Sequence, residues 1–237
     1  MMRELVAEAL GTALLLAVIV GSGIMGESLA GGNTAMALLA NSLATGAALV
    51  VLILVFAPVS GAHMNPVVTL SAAVRGELAW SRVAPYVLAQ ILGAFAGVLV
   101  AHAMFGHPTF VASAHVRSGS EQLLSEAVAT FGLVLTILGV QRDRPAAIPY
   151  AVALFIVAAY WFTASTSFAN PAVTLARAAT DTFAGIRPID VPGFVLAQLA
   201  GGGAAVVLAG WLWVPALRRV EEHAARSPTE HAADPAS

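Results

Sequence analysis

Two short apolar segments, each opening with Asn-Pro, interrupt a series of six long ones, and this alternation narrows the folds open to the chain more than any other feature. The long runs lie at about 4–26, 35–57, 83–105, 121–140, 147–165 and 193–216. A bilayer hydrocarbon core of about 30 Å takes about 20 residues of helix, so each long run can cross. The segments at about 65–75 and 170–179 are far too short to do so. Asn65-Pro66 opens the first and Asn170-Pro171 the second. Asparagine is a good helix N-cap, and proline suits the first helical position because its missing N–H is not needed there. Each segment therefore begins a helix of about ten residues, half a membrane thick.

Composition agrees with residence in a bilayer. With 59% hydrophobic and 10% charged residues, the chain cannot cover a globule in water, where about a quarter of residues are charged. Leu5 to Met25 is too long for a signal peptide, carries Glu4 and Glu8 at its start, and precedes further spans, so it reads as a retained helix. All 11 basic side chains are arginines, with no long basic run to suggest a nucleic-acid partner. Without cysteine there is no disulfide, thiolate metal site or cysteine nucleophile.

The chain also repeats itself. Ala7-Glu8-Ala9-Leu10-Gly11-Thr12 is echoed by Ser125-Glu126-Ala127-Val128-Ala129-Thr130, and Asn65-Pro66-Val67-Val68-Thr69-Leu70 by Asn170-Pro171-Ala172-Val173-Thr174-Leu175. Val87-Leu88-Ala89-Gln90 returns as Val195-Leu196-Ala197-Gln198. Three motifs recur in one order, which is the mark of an internal duplication. Each repeat holds three spans, an odd number, so the second enters the membrane inverted. The resulting expectation is an all-α membrane protein of six transmembrane helices plus two half-helices. Repeat one covers about 4–105 and repeat two about 121–216, within a single domain of residues 1–217. Residues 218–237 read as a flexible cytoplasmic tail. Placing both termini inside puts Arg3, Arg75, Arg82, Arg142, Arg144, Arg218, Arg219 and Arg226 on the cytoplasmic side, the bias cytoplasmic loops show. Arg117 and Arg187 then fall outside, and Arg177 lies within the second half-helix.

Inverted repeats with a broken helix in each half place the functional site at the midplane between them. Half-helices that point their N-termini at each other leave unpaired N–H groups there, with about half a positive charge each. Asn65 and Asn170 would add side-chain amides. Such a centre offers partners to a hydroxyl solute while opposing cations and protons. It needs no nucleophile, general base, metal or other cofactor, and the chain reads as a protein that is not an enzyme.

The segment Ser60-Gly61-Ala62-His63-Met64-Asn65-Pro66-Val67-Val68-Thr69-Leu70 resembles the first signature loop of the aquaporin, or major intrinsic protein, family, with Val67 in place of the usual alanine. Ala169-Asn170-Pro171-Ala172 resembles the second. The resemblance implies an aquaporin-like homotetramer in a cell membrane, the bacterial inner membrane for a chain of this kind, with one pore per subunit. It implies a central constriction at Asn65, Pro66, Val67, Asn170, Pro171 and Ala172. By the family's spacing, the outer filter falls on Thr45, twenty residues before Asn65, on Ala158 and Ser167, twelve and three before Asn170, and on Val173. Most of the family carries arginine where this chain has Val173, and glycerol channels usually carry aspartate where it has Thr174. A filter of Thr45, Ala158, Ser167 and Val173 is small and uncharged. It resembles that of bacterial aquaglyceroporin-type channels linked to arsenic handling, which pass metalloid hydroxides such as arsenous acid. Glycerol, urea and other neutral solutes fit the same filter, with water.

The remaining polar residues each carry two readings. Arg177, one helical turn beyond Val173, either restores a cation at the pore mouth or anchors the half-helix at the interface. His63 either lines the cytoplasmic half of the pore or packs in its loop. Glu8 and Glu126, acidic residues inside spans, either relay protons or brace the loops that lead into the half-helices, with Gln90 and Gln198 bracing beside them. His102, His107 and His115 surround an external loop and read as solvated or interfacial. Gly93, Gly97 and Gly201 to Gly203 read as places where helices approach closely. The reading is a passive channel for small uncharged solutes. The alternatives are a water-selective aquaporin, a proton-coupled secondary transporter using Glu8 and Glu126, and a non-conducting membrane scaffold.

Overall fold

Each long apolar run forms a helix and each Asn-Pro segment a half-helix in the computed structural model, which describes residues 1–213. In chain order they are α1 (Met2–Leu29), α2 (Thr34–Ser60), the half-helix α3 (Pro66–Val74), α4 (Trp80–Phe105), α5 (Ser120–Asp143), α6 (Ile148–Phe162), the half-helix α7 (Pro171–Arg177) and α8 (Val191–Leu212). With the short 3-10 turns that lead into α6 and α8 counted in (Pro145–Phe162 and Pro188–Leu212), six are long and apolar enough to cross a membrane. No strand occurs among the described residues. The tail expected at 218–237, with Arg218, Arg219 and Arg226, lies outside the described residues, as does the far end of the sixth run. The fifth run stops at Phe162, three residues short of its expected end, because the chain turns extended from Thr163 to reach the second half-helix.

The packing follows the duplication. α1 packs against α2 and α4, and α5 against α6 and α8, while α2 and α6 meet where the repeats join. Each half-helix bridges the repeats: α3 lies against α4 and α8, and α7 against α8 and α4. Small residues permit the closest of these approaches. A Cβ on Gly93 would overlap the Ala9 carbonyl, and one on Gly97 the Ala13 carbonyl, so α4 sits backbone to backbone on α1. Gly201 meets Ala127 in the same way where α8 crosses α5. Gly203, by contrast, faces open space and plays no part in this contact.

Polar and apolar surfaces are inverted relative to a protein in water. Leu10, Leu14, Leu43, Leu92, Leu154 and Trp211 are exposed, while Glu8, Gln90, Glu126 and Gln198 are wholly buried. Large apolar patches on the outside need a partner. For spans of this length and hydropathy that partner is lipid.

Candidate functional site

Two irregular loops carry the chain to the centre, and both require unusual backbone. Ala62 and Met64 before α3, and Thr166, Ser167 and Ala169 before α7, all have φ between 47° and 60°. A side chain there costs about 1–3 kcal/mol, and such residues persist only where their surroundings hold them. Buried carboxylates do the holding. Glu8 Oε1 accepts from the Ser60 hydroxyl (2.6 Å) and the His63 N–H (2.9 Å), and its Oε2 from the Met64 N–H (2.7 Å) and the Gln90 amide (2.7 Å). In the second repeat Glu126 accepts from the Phe168 and Ala169 N–H groups (2.9 Å each) and from Gln198 (2.6 Å). Gln90 and Gln198 also donate to Thr69 and Thr174 on the two half-helices.

Each half-helix is capped by its asparagine. Asn65 Oδ1 accepts from the Val67 N–H, and Asn170 Oδ1 from those of Ala172 and Val173. The amide ends then cross between repeats: Asn65 Nδ2 donates to the Ala169 carbonyl (2.8 Å) and Asn170 Nδ2 to that of Met64 (2.7 Å). Each asparagine thereby holds the other's loop. An amide has two N–H groups, so one on each asparagine remains.

Those amides face a cavity of about 420 Å³. Leu15, Leu49, Ile53, Val152 and Ile156 form an apolar wall from three helices, and the two loops form a polar edge opposite. At one end stand Glu4, Arg82, Glu77 and His63, with Arg82 paired to Glu4 and His63 Nδ1 3.2 Å from the Thr69 hydroxyl. At the other stand Thr45, Tyr160, Ser167, Phe168, Val173 and Arg177. The Ser167 hydroxyl is buried with no hydrogen-bond partner among the described residues.

Of the constriction residues expected from sequence, Asn65 and Asn170 line the cavity, while Pro66, Val67, Pro171 and Ala172 lie behind it. Val67 turns its methyl away from the pathway into α8, where only Gly202 leaves room. Thr45, Ser167 and Val173 come together at the outer end, but Ala158 does not join them: it is exposed on the opposite side of α6. The cavity face of α6 runs through Val152, Ile156 and Tyr160, spaced at four residues, and a residue two positions away points about 200° off that line. Tyr160 occupies the place assigned to Ala158, with its hydroxyl 3.2 Å from Thr45 Oγ1. His102 is likewise buried rather than solvated, its Nε2 2.7 Å from the Thr180 hydroxyl.

Arg177 does not reach for the membrane surface. It is 2% exposed, donates Nε to the Ala184 carbonyl, and lays its guanidinium 3.3 Å from the Phe168 ring centre. Arg117, from the loop between α4 and α5, reaches the same ring at 4.9 Å and donates to the carbonyls of Gly185 (2.8 Å) and Ser165 (3.2 Å). Burial lowers the Arg117 guanidinium to about 10, so it remains a cation at neutral pH. Sequence reasoning missed Arg117, Phe168 and Tyr160. Tyr160 carried a signal, as the one hydroxyl-bearing residue at helical spacing from Val152 and Ile156; a loop arginine that folds inward carries none.

Known proteins resemble the chain in sequence and in fold. The family model described as Major intrinsic protein matches residues 1–147. The chain is 56% identical over 214 residues to Aquaglyceroporin AqpS of Rhizobium meliloti, covering 90% of this chain and 91% of that one. It is 32% identical to Aquaporin NIP2-2 of Zea mays, over 96% of this chain and 75% of that one. It is also 32% identical to a glycerol uptake facilitator protein of Streptococcus pneumoniae, over 66% and 73%. The fold is shared with the X-ray structure of the aquaglyceroporin from Plasmodium falciparum, at a TM-score of 0.69 and 21% identity over 93% of this chain and 99% of that one.

Proposed function

Because the chain belongs to the major intrinsic protein family, a family of multi-pass membrane channels and not enzymes, we propose that it passes small uncharged solutes through a wide filter without charge at position 173. The observation that carries this reading is the outer end of the cavity. There Val173 stands where most of the family has arginine, beside Thr45 and the unpartnered hydroxyl of Ser167. A polyol fits such a pathway in a simple way, with C–H groups on the apolar wall and hydroxyls on the polar edge. At the midplane the remaining amide N–H groups of Asn65 and Asn170 donate to passing oxygens, so a solute surrenders water and regains partners in turn. Diffusion is passive and bidirectional, and no covalent step or cofactor takes part.

The solutes proposed are glycerol-like polyols, metalloid hydroxides such as arsenous acid, and water. Relatives named as an aquaglyceroporin and a glycerol uptake facilitator support that class. The coupled-transporter alternative is disfavoured by one observation: Glu8 and Glu126 have their oxygens engaged by loop donors and do not line the cavity. A homotetramer with one pore per subunit, both termini in the cytoplasm and the Arg82 end of the pore inside complete the proposal.

Stopped-flow light scattering on reconstituted liposomes tests it. Glycerol and arsenous acid should equilibrate faster than in protein-free liposomes. Flux of water alone would favour the water-selective reading, and unchanged permeability a scaffold.

A further inference from the structure

Two buried guanidiniums stand at the outer end of the pore with no acid paired to either among the described residues. Arg177 and Arg117 are 2% and 8% exposed, and their ion-pair partners would have to lie within 4 Å, where there are none. Buried charges are ordinarily paired, because taking an ion out of water is costly. The acids of the same region are committed elsewhere and do not line the cavity: Glu126 to the Phe168 and Ala169 N–H groups and to Gln198, Asp190 to Arg187 and the Arg117 backbone N–H, and Asp181 to the Ala114 N–H. The two arginines do not merely share a neighbourhood. Both lie against the ring of Phe168, a residue whose own backbone is held by Glu126. Arg117 spends its Nε and one terminal nitrogen on carbonyls, which fixes it behind the ring. Arg177 spends only Nε, on Ala184, and it lines the cavity.

Position on the half-helix decides what this cation acts on. Arg177 follows Val173 by four residues, about 6 Å outward on the same face. We propose that Arg177, backed by Arg117 across the Phe168 ring, adds an outer cation-excluding barrier to that of the midplane, set one helical turn outside a size filter that itself carries no charge. Charge selection and size selection are thereby separated along the axis. Thr45, Tyr160, Ser167 and Val173 set how large a neutral solute passes, and Arg177 sets which charges approach. The inference rests on the channel reading above, since only a conducting pore needs such a barrier.

Liposomes loaded with a pH-sensitive dye, under an imposed potassium diffusion potential, report proton and sodium leak, and glycerol flux on the same preparation reports the open pore. Arg177→Met keeps an aliphatic stem over Phe168 and removes the charge; Arg177→Lys keeps the charge and removes the planar fork. One unit charge at about 6 Å, through an effective dielectric of about 20, corresponds to about a hundredfold in rate. Cation leak through Arg177→Met should rise by about that factor while its glycerol flux stays at the wild-type level, and Arg177→Lys should stay tight. An Arg177→Met channel that passes glycerol and remains tight to cations overturns the proposal, and so does an Arg177→Lys channel that leaks as much as Arg177→Met. If Arg177→Met fails to assemble, Arg177→Gln takes its place in both assays: a cation leak upholds the proposal, and a tight, glycerol-conducting channel overturns it. A wild type that passes no glycerol sinks the channel reading itself, a separate failure.

Discussion

Removing the Glu126 carboxylate tests what holds the second pore loop in place. Its oxygens accept from the Phe168 N–H, the Ala169 N–H and the Gln198 amide, all buried. Glu126→Ala strands three donors at membrane depth, each costing about 1–3 kcal/mol, so the loss should be at least about 3 kcal/mol. The loop also loses its brace at Phe168 and Ala169, in a stretch where the positive φ of Ser167 and Ala169 is costly to maintain. Glu126→Gln keeps the shape and one acceptor oxygen but turns an NH2 group toward a donor, stranding about one N–H at about 1–3 kcal/mol. In a chain of this size about 1 kcal/mol moves the melting temperature by about 2–4 °C. Thermal unfolding in detergent, followed by size-exclusion fluorescence, should therefore show Glu126→Ala falling by about 6 °C or more and Glu126→Gln by less than half as much. Glu8→Gln should cost about as much as Glu126→Gln, because the Ser60 hydroxyl can turn to accept from an amide at the Oε1 position but the His63 N–H on that same oxygen is left without an acceptor. An Ala variant that melts within about 2 °C of wild type would refute the bracing account. Loss of uphill transport in Glu8→Gln or Glu126→Gln, with melting unchanged, would instead revive the coupled transporter.

Other expectations follow from single contacts. Gly202→Ala should destabilise by about 1–3 kcal/mol because its Cβ meets Val67, and Val67→Ala/Gly202→Ala should recover most of that, measured by the same melting assay. Gly201→Val should abolish folded expression, since no side chain fits against the Ala127 carbonyl. Tyr160→Phe removes the partner of the Thr45 hydroxyl and frees it toward the pore, so flux of polyols larger than glycerol should rise relative to water in stopped flow. Arg117, which burial lowers to about 10, keeps its charge from about pH 6 to 8, so its backing of Arg177 should not vary across that range; an Arg117-dependent leak opening there in a pH-jump assay would contradict it.

The paired motifs made the fold legible, and the physics explains why. Asn-Pro before an apolar run suits a helix start, and a glutamate buried in a span must find donors nearby, so the chemistry of Asn65, Asn170, Glu8 and Glu126 marks them in the chain itself. Spacing carried less far at α6. Counting back twelve residues from Asn170 assumes a fixed loop, but the helix ends at Phe162 and the chain turns extended, so helical phase delivers Tyr160 and leaves Ala158 outside. Val67 marks a different limit. Its substitution for alanine stands in the signature loop, yet its side chain points into α8, and nothing local to residue 67 reveals that Gly202 receives it. Arg117 shows the same limit at longer range, since its partners at Ser165 and Gly185 lie in the other pore loop and beyond the second half-helix.

The central claim is that a small uncharged residue at position 173 opens the filter to solutes larger than water, and Val173→Arg tests it most directly. Stopped-flow light scattering on matched liposomes would compare water and glycerol for the two proteins. The account predicts that wild type passes both, and that the arginine lowers glycerol flux by at least about tenfold, or about 1.4 kcal/mol of added barrier, while water continues to pass. Equal glycerol flux in wild type and Val173→Arg would contradict it.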